Sequence, residues 1–178
     1  MKEIVVVYNP ASGIRGRRNL LLALRKCKKY LRKNKYKYTY LKTKHRGHAI
    51  DMLENIKEVD LVITIGGDGT FNEAVTGNLK REKQLVMSHI PIGTTNDLGA
   101  IFCLGKNIIE NLKLILDGEI REIDICKINN KPFVYVAGFG KFMNIPYDTP
   151  RKEKKRLRTY RIYIKWSKRF FCWKNTNV

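Results

Sequence analysis

The chain has 178 residues, with 36 Lys+Arg against 16 Asp+Glu for a formal charge of +20, and 43% of it is hydrophobic. That composition excludes a disordered chain, a collagen and a disulfide-stapled miniprotein, and the length suits one full domain and a remainder. The charge is uneven: residues 15–46 hold fourteen basic and no acidic side chains, residues 47–150 carry a net −4, and residues 151–178 a net +10.

Taken in order, Ile4-Val5-Val6-Val7-Tyr8 is a β-branched run stopped by Asn9-Pro10, a buried parallel strand ending at a turn. Leu20 to Leu24 in succession, then Cys27, Tyr30 and Leu31, fall at helical spacing, with Arg and Lys on the other face. A second strand is expected over 36–41, a helix through Ala49, Ile50, Leu53 and Ile56, and a third strand over 61–65. After Gly66-Gly67-Asp68-Gly69 a helix is expected from about Thr70 to Gly77, then a strand over 85–92 and a third polar turn, Gly93-Thr94-Thr95-Asn96-Asp97. This alternation predicts an α/β fold, an open parallel sheet with helices on both faces and all strand-to-helix turns on one edge. From Glu119 the pattern changes. Residues 121–129 and 132–138 read as two strands joined at Asn129-Asn130, the start of an antiparallel β-sandwich domain. The expected division is 1–118 nucleotide-binding α/β domain, 119–157 incomplete β-domain and 158–178 basic aromatic tail.

Cys27, Cys103, Cys126 and Cys172 are too scattered for a zinc knuckle or a redox pair. No window approaches the ~20 apolar residues of a spanning helix, and no signal peptide opens the chain, so a cytoplasmic location is expected. The two basic blocks suit solvated faces or an anionic surface, either phospholipid headgroups or nucleic-acid phosphates.

The functional signal lies in three turns: Asn9-Pro10-Ala11-Ser12-Gly13, Gly66-Gly67-Asp68-Gly69-Thr70 and Gly93-Thr94-Thr95-Asn96-Asp97. Each follows an apolar strand, so in an open α/β sheet all three would face one crevice. The glycines of the second let backbone approach a ligand, and the N–H groups opening the next helix suit a phosphate. Asp68 would repel a bare anion, unless a metal ion, ribose or backbone N–H groups engage its carboxylate; a nucleotide with magnesium fits best. Asn72 and Glu73 are expected within reach of the same crevice. Each turn alone is an ordinary turn former, and neither a GxGxxG nor a Walker pattern occurs.

The ordered set NPASG, GGDGTFNEAVTG and IPIGTTNDLGA resembles the catalytic domain of the diacylglycerol kinase and bacterial lipid kinase family, related to sphingosine kinases and NAD kinases, over most of residues 3–157. The resemblance implies ATP and Mg²⁺ as cofactors, with the nucleotide held by Asn9, Ser12, Thr43, Gly66, Gly67, Asp68, Gly69, Thr70, Asn72, Glu73 and Thr94; no metal-ligand residues are assigned in this chain. It implies transfer of the γ-phosphoryl group to a diacylglycerol-like lipid hydroxyl. The basic segments of the chain would hold such an enzyme in peripheral contact with an anionic membrane surface, and no specific nucleic acid is expected. A NAD kinase-like enzyme and a non-catalytic nucleotide-binding fragment are the alternatives.

Two departures stand out. Leu98-Gly99-Ala100 replaces the family's aromatic, small residue and Arg. The family's second domain also runs over a hundred residues past Gly138 and carries an acidic general base and a structural metal site, which would fall beyond Val178 and leave the activity of this chain open. Past Leu157 the resemblance fades into a tail with Tyr160, Trp166, Phe170, Phe171 and Trp173 among cations, read as a lost reading frame or, alternatively, as an interfacial anchor.

Overall fold

The computed structural model describes residues 2–12, 17–93 and 96–135. Four strands, β1 (Glu3–Tyr8), β2 (Lys37–Lys42), β3 (Leu61–Gly66) and β4 (Met87–Pro91), pair in parallel in the order β2-β1-β3-β4. The helices between them are α1 (Arg17–Lys33), α2 (His48–Asn55) and α3 (Asp68–Asn78). After β4 come α4 (Asp97–Ile101) and α5 (Ile108–Asp117), then a hairpin of β5 (Cys126–Ile128) and β6 (Lys131–Phe133).

Period-two alternation in the strands meets period-3.6 spacing in the helices, and this makes two apolar layers. Ile4, Val6, Leu61, Ile63, Ile65 and Ile90 pack with Leu20, Ala23, Cys27 and Leu31 of α1 and Leu112 and Leu116 of α5. On the opposite face Val5, Val7 and Val62 pack with Ala49 and Leu53 of α2 and Ala74 of α3. Burial on both faces explains why β1 and β3 read as continuous apolar runs, and all six residues of β3 are buried.

The expected open parallel sheet, with helices on both faces, is thus present, and a small antiparallel hairpin follows it. Its turn residues Asn129 and Asn130 have φ of 47° and 61°, the pair of positive angles that a two-residue hairpin connection needs. The strands are shorter than expected, and 136–138 lie outside the described residues, as do the rest of the 119–157 segment past Tyr135 and the whole 158–178 tail.

Two boundaries differ for local reasons. Helix α3 begins at Asp68 rather than Thr70: Gly67 is the extended cap (φ −96°, ψ 175°), and its carbonyl accepts from Thr70 N at 2.9 Å, so Asp68 and Gly69 already belong to the first turn. An acidic residue there complements the helix dipole. Strand β4 begins at Met87 rather than Leu85, because the Asn78 side chain captures Leu85, donating to its carbonyl (3.0 Å) and accepting from its N–H (2.9 Å).

Candidate functional site

With the order β2-β1-β3-β4, the chain leaves β1 toward one edge of the sheet and leaves β3 toward the other. The carboxyl ends of β1 and β3 therefore flank the switch point, where a crevice opens in such folds. Asn9 leaves β1 with its N–H on the Ile65 carbonyl (3.2 Å), and its Oδ1 accepts from Ala11 N (2.9 Å), folding the first turn over the strand end. Its Nδ2 donates to Thr70 Oγ1 at 3.2 Å, and Ser12 Oγ lies 3.5 Å from the same oxygen. Thr70, 6% exposed, thus ties the first turn to the second.

The second turn meets the third by backbone. The Gly66 carbonyl accepts from Ile92 N at 2.8 Å, and a Cβ on Gly93 would lie 2.9 Å from the Gly67 Cα, a separation that only glycine permits. Gly66 is equally constrained, since a Cβ there would lie 2.7 Å from both Cβ and Oγ1 of Thr70. Asn96, at left-handed φ 55°, opens α4 from the third turn; its Oδ1 is buried and accepts no hydrogen bond from any described residue. At the far side Thr43, buried, donates its N–H to the Tyr8 carbonyl (2.9 Å), which places the end of β2 on the same rim.

The structure therefore brings together Asn9, Ser12, Thr43, Gly66, Gly67, Asp68, Gly69 and Thr70 at the strand exits. Thr94 lies outside the described residues, although Gly93 beside it meets Gly67. Asn72 has a different engagement: its Oδ1 accepts from Val134 N at 3.1 Å, so it anchors the hairpin segment to α3. Glu73, one residue on, is half-buried.

Sequence reasoning did not single out His89. It is fully buried on β4, its Nδ1 2.8 Å from Thr64 Oγ1 and its ring 5.3 Å from that of Phe71, and its Nε2 has no partner among the described residues. Burial pushes its pKa down to about 4, so it is a neutral wall residue behind the second turn. The one available signal was its place in the inward register of the strand.

Chemically the rim offers small hydroxyls, amides and the opening N–H groups of α3, which suit phosphate oxygens. No group of three or more His, Cys, Asp or Glu able to cage a metal occurs among the described residues. That donor set fits a magnesium ion carried mainly by phosphate oxygens and water, with one carboxylate, Asp68, at hand. No helix among the described residues is long and apolar enough to cross a membrane.

Comparison with known proteins agrees with this geometry. The profile of the diacylglycerol kinase catalytic domain matches residues 3–128. A diacylglycerol kinase of Staphylococcus epidermidis is 36% identical over 167 residues, covering 92% of this chain and 52% of that protein. One from Staphylococcus aureus is 34% identical with the same coverage. The chain thus spans about half the length of these relatives. The crystal structure of a diacylglycerol kinase from Bacillus anthracis superposes with a TM-score of 0.60 at 28% identity, over 74% of this chain and 48% of that one. With its parallel sheet, its joined turns and this match over residues 3–128, the chain belongs to the diacylglycerol kinase catalytic domain family.

Proposed function

We propose that this chain is the nucleotide-binding part of an ATP-dependent lipid kinase that phosphorylates a diacylglycerol-like alcohol at a membrane surface. The observation that carries this reading is the convergence on Thr70 of Asn9 and Ser12, from a turn about sixty residues away, beside the Gly67–Gly93 contact. In the reaction the lipid hydroxyl oxygen forms a bond to the γ-phosphorus, the bond from that phosphorus to the β–γ bridging oxygen breaks, ADP leaves and the hydroxyl proton is released.

Asn9, Ser12, Thr43, Gly66, Gly67, Asp68, Gly69, Thr70, Asn72, Glu73 and Thr94 hold the nucleotide in this reading. The glycine backbone and the first turn of α3 meet the phosphates, and the hydroxyls of Ser12 and Thr70 orient them. When bound, magnesium supplies neutralisation of phosphate charge, and Asp68 is the residue that holds it. These residues contribute positioning and charge complementarity, which dominate phosphoryl transfer.

Calorimetric titration of the chain with ATP and Mg²⁺ tests the binding step, and label transfer from [γ-³²P]ATP to diacylglycerol vesicles tests the chemistry. Micromolar binding that Asp68→Ala weakens at least about tenfold is expected. Transfer of label to NAD in place of diacylglycerol, or binding of nucleic acid with no response to ATP, refutes the lipid kinase reading.

A further inference from the structure

The outward face of α1 takes no part in the rim. Its inward residues Leu20, Ala23, Cys27 and Leu31 are buried in the core, whereas Arg25, Lys28, Lys29 and Arg32 recur at i, i+3, i+4 and i+7 and line one exposed groove. One turn toward the helix start the stripe continues in Leu21 and Leu22, 44% and 49% exposed. The whole face runs roughly 16 Å along the helix axis.

Like charges at these spacings repel, and elsewhere the chain relieves its lysines with carboxylates, as in Lys80–Glu54 and Lys83–Glu58. Here it does not: none of the four cations has an ion pair among the described residues, and residues 15–46 contain no Asp or Glu. Complementarity to the helix dipole accounts only for the last turn, with Arg32 and Lys33. An unrelieved cationic stripe beside two exposed leucines matches a surface that is anionic at its headgroups and apolar just beneath.

We infer that the outer face of α1 is a docking surface for an anionic phospholipid bilayer. Cations near such a surface each strengthen binding roughly fivefold, and exposed aliphatic side chains add apolar burial at the headgroup boundary. The leucines select lipid over nucleic acid, which has no use for aliphatic groups, and the stripe presents no aromatic ring for bases to stack on. Helix α1 follows the first turn, so Leu21 and Leu22 lie toward the strand-exit edge, and docking brings that edge to the bilayer. That a lipid hydroxyl meets a nucleotide there rests on the proposed kinase reading; the docking does not.

The test is co-sedimentation of the full chain with phosphatidylglycerol/phosphatidylcholine vesicles and with phosphatidylcholine alone. Three variants are compared: Arg25→Gln/Lys28→Gln/Lys29→Gln/Arg32→Gln, Leu21→Ser/Leu22→Ser, and the charge-matched control Lys154→Gln/Lys155→Gln/Arg156→Gln/Arg158→Gln. The unaltered chain should bind only the anionic vesicles. The α1 charge variant should bind them at least about tenfold more weakly and the leucine variant several-fold more weakly, with the control changed less than about threefold. Thermal melting confirms folding, and the leucine variant, which keeps every charge, decides the matter should the charge variant melt early. A control that loses as much as the α1 variant, an α1 variant that loses oligonucleotide binding but keeps vesicle binding, or no vesicle binding by the unaltered chain overturns the inference. Because sedimentation needs no turnover, a failed phosphotransfer assay leaves this result standing.

Discussion

Thr70 is a small side chain with several partners: one hydroxyl joins Asn9 and Ser12 of the first turn, and its Cβ fills the space that Gly66 leaves open. Thr70→Val preserves the shape and removes the hydroxyl, leaving the half-buried Asn9 amide one partner short. The loss should be about 1 kcal/mol in urea unfolding, with ATP affinity down roughly tenfold. Thr70→Ser, which keeps the oxygen, should restore most of the affinity; equal affinities in the two variants would show that the hydroxyl does not organise the rim. His89 gives a second prediction at this scale. Its folded pKa of about 4 lies below the ordinary value of 6.5, because burial penalises the imidazolium beside Thr64 and Phe71. The unfolded chain therefore takes up the proton first. Stability is complete above pH ~6.5, falls as the pH drops from there toward ~4 and levels off below, a loss of about 3 kcal/mol. His89→Gln should flatten that part of the pH–stability curve, and an unchanged slope would place the titration elsewhere.

At the scale of elements, α2 and α3 approach each other closely at Gly77. A Cβ on Gly77 would lie 2.2 Å from the Ile50 carbonyl oxygen, a backbone atom that cannot turn aside. Gly77→Ala should cost about 3 kcal/mol in denaturant unfolding, whereas alanine at Gly69, whose Cβ would meet nothing within 4 Å, should cost far less. Alanine is the better helix former at both positions, so a comparable loss at Gly69 would show that the Ile50 contact does not set the penalty. The strands and α1 were legible because each buries residues at its own period, so β1, with Ile4 and Val6 toward one layer and Val5 and Val7 toward the other, declared both faces at once. The start of α3 was less so, because Gly66, Gly67 and Gly69 read as turn formers while Gly69 is in fact helical. Long-range side-chain bonds were invisible for a different reason. Asn78 takes Leu85 out of β4, and Asn72 holds Val134 from 62 positions away, choices made by tertiary contacts that no local period encodes. The rim was legible as composition, since the three turns are short and polar. That Thr70 joins two of them needed the sheet order.

For the molecule as a whole, charge opposes folding unevenly. Residues 15–46 gather fourteen cations over α1, β2 and the connections beside them, and of these only Lys37 has an ion pair among the described residues, with Glu3 at 3.0 Å. Compact folding brings these cations within a Debye length of one another at low salt, and the resulting repulsion is far weaker in the expanded chain. Raising NaCl from about 0.02 to 0.3 M shortens that length several-fold and should raise the melting temperature by a few degrees, a change on the order of 1 kcal/mol at this size. The few exposed pairs that salt weakens, such as Lys80–Glu54, work in the opposite direction but contribute little each. Sodium sulfate strengthens apolar burial as well, so NaCl matched against KCl isolates screening from ion-specific effects. A melting temperature that stays flat or falls with NaCl would mean that the cations of α1 and β2 are already neutralised within the fold. That result would also remove the unrelieved charge on which docking to an anionic surface depends.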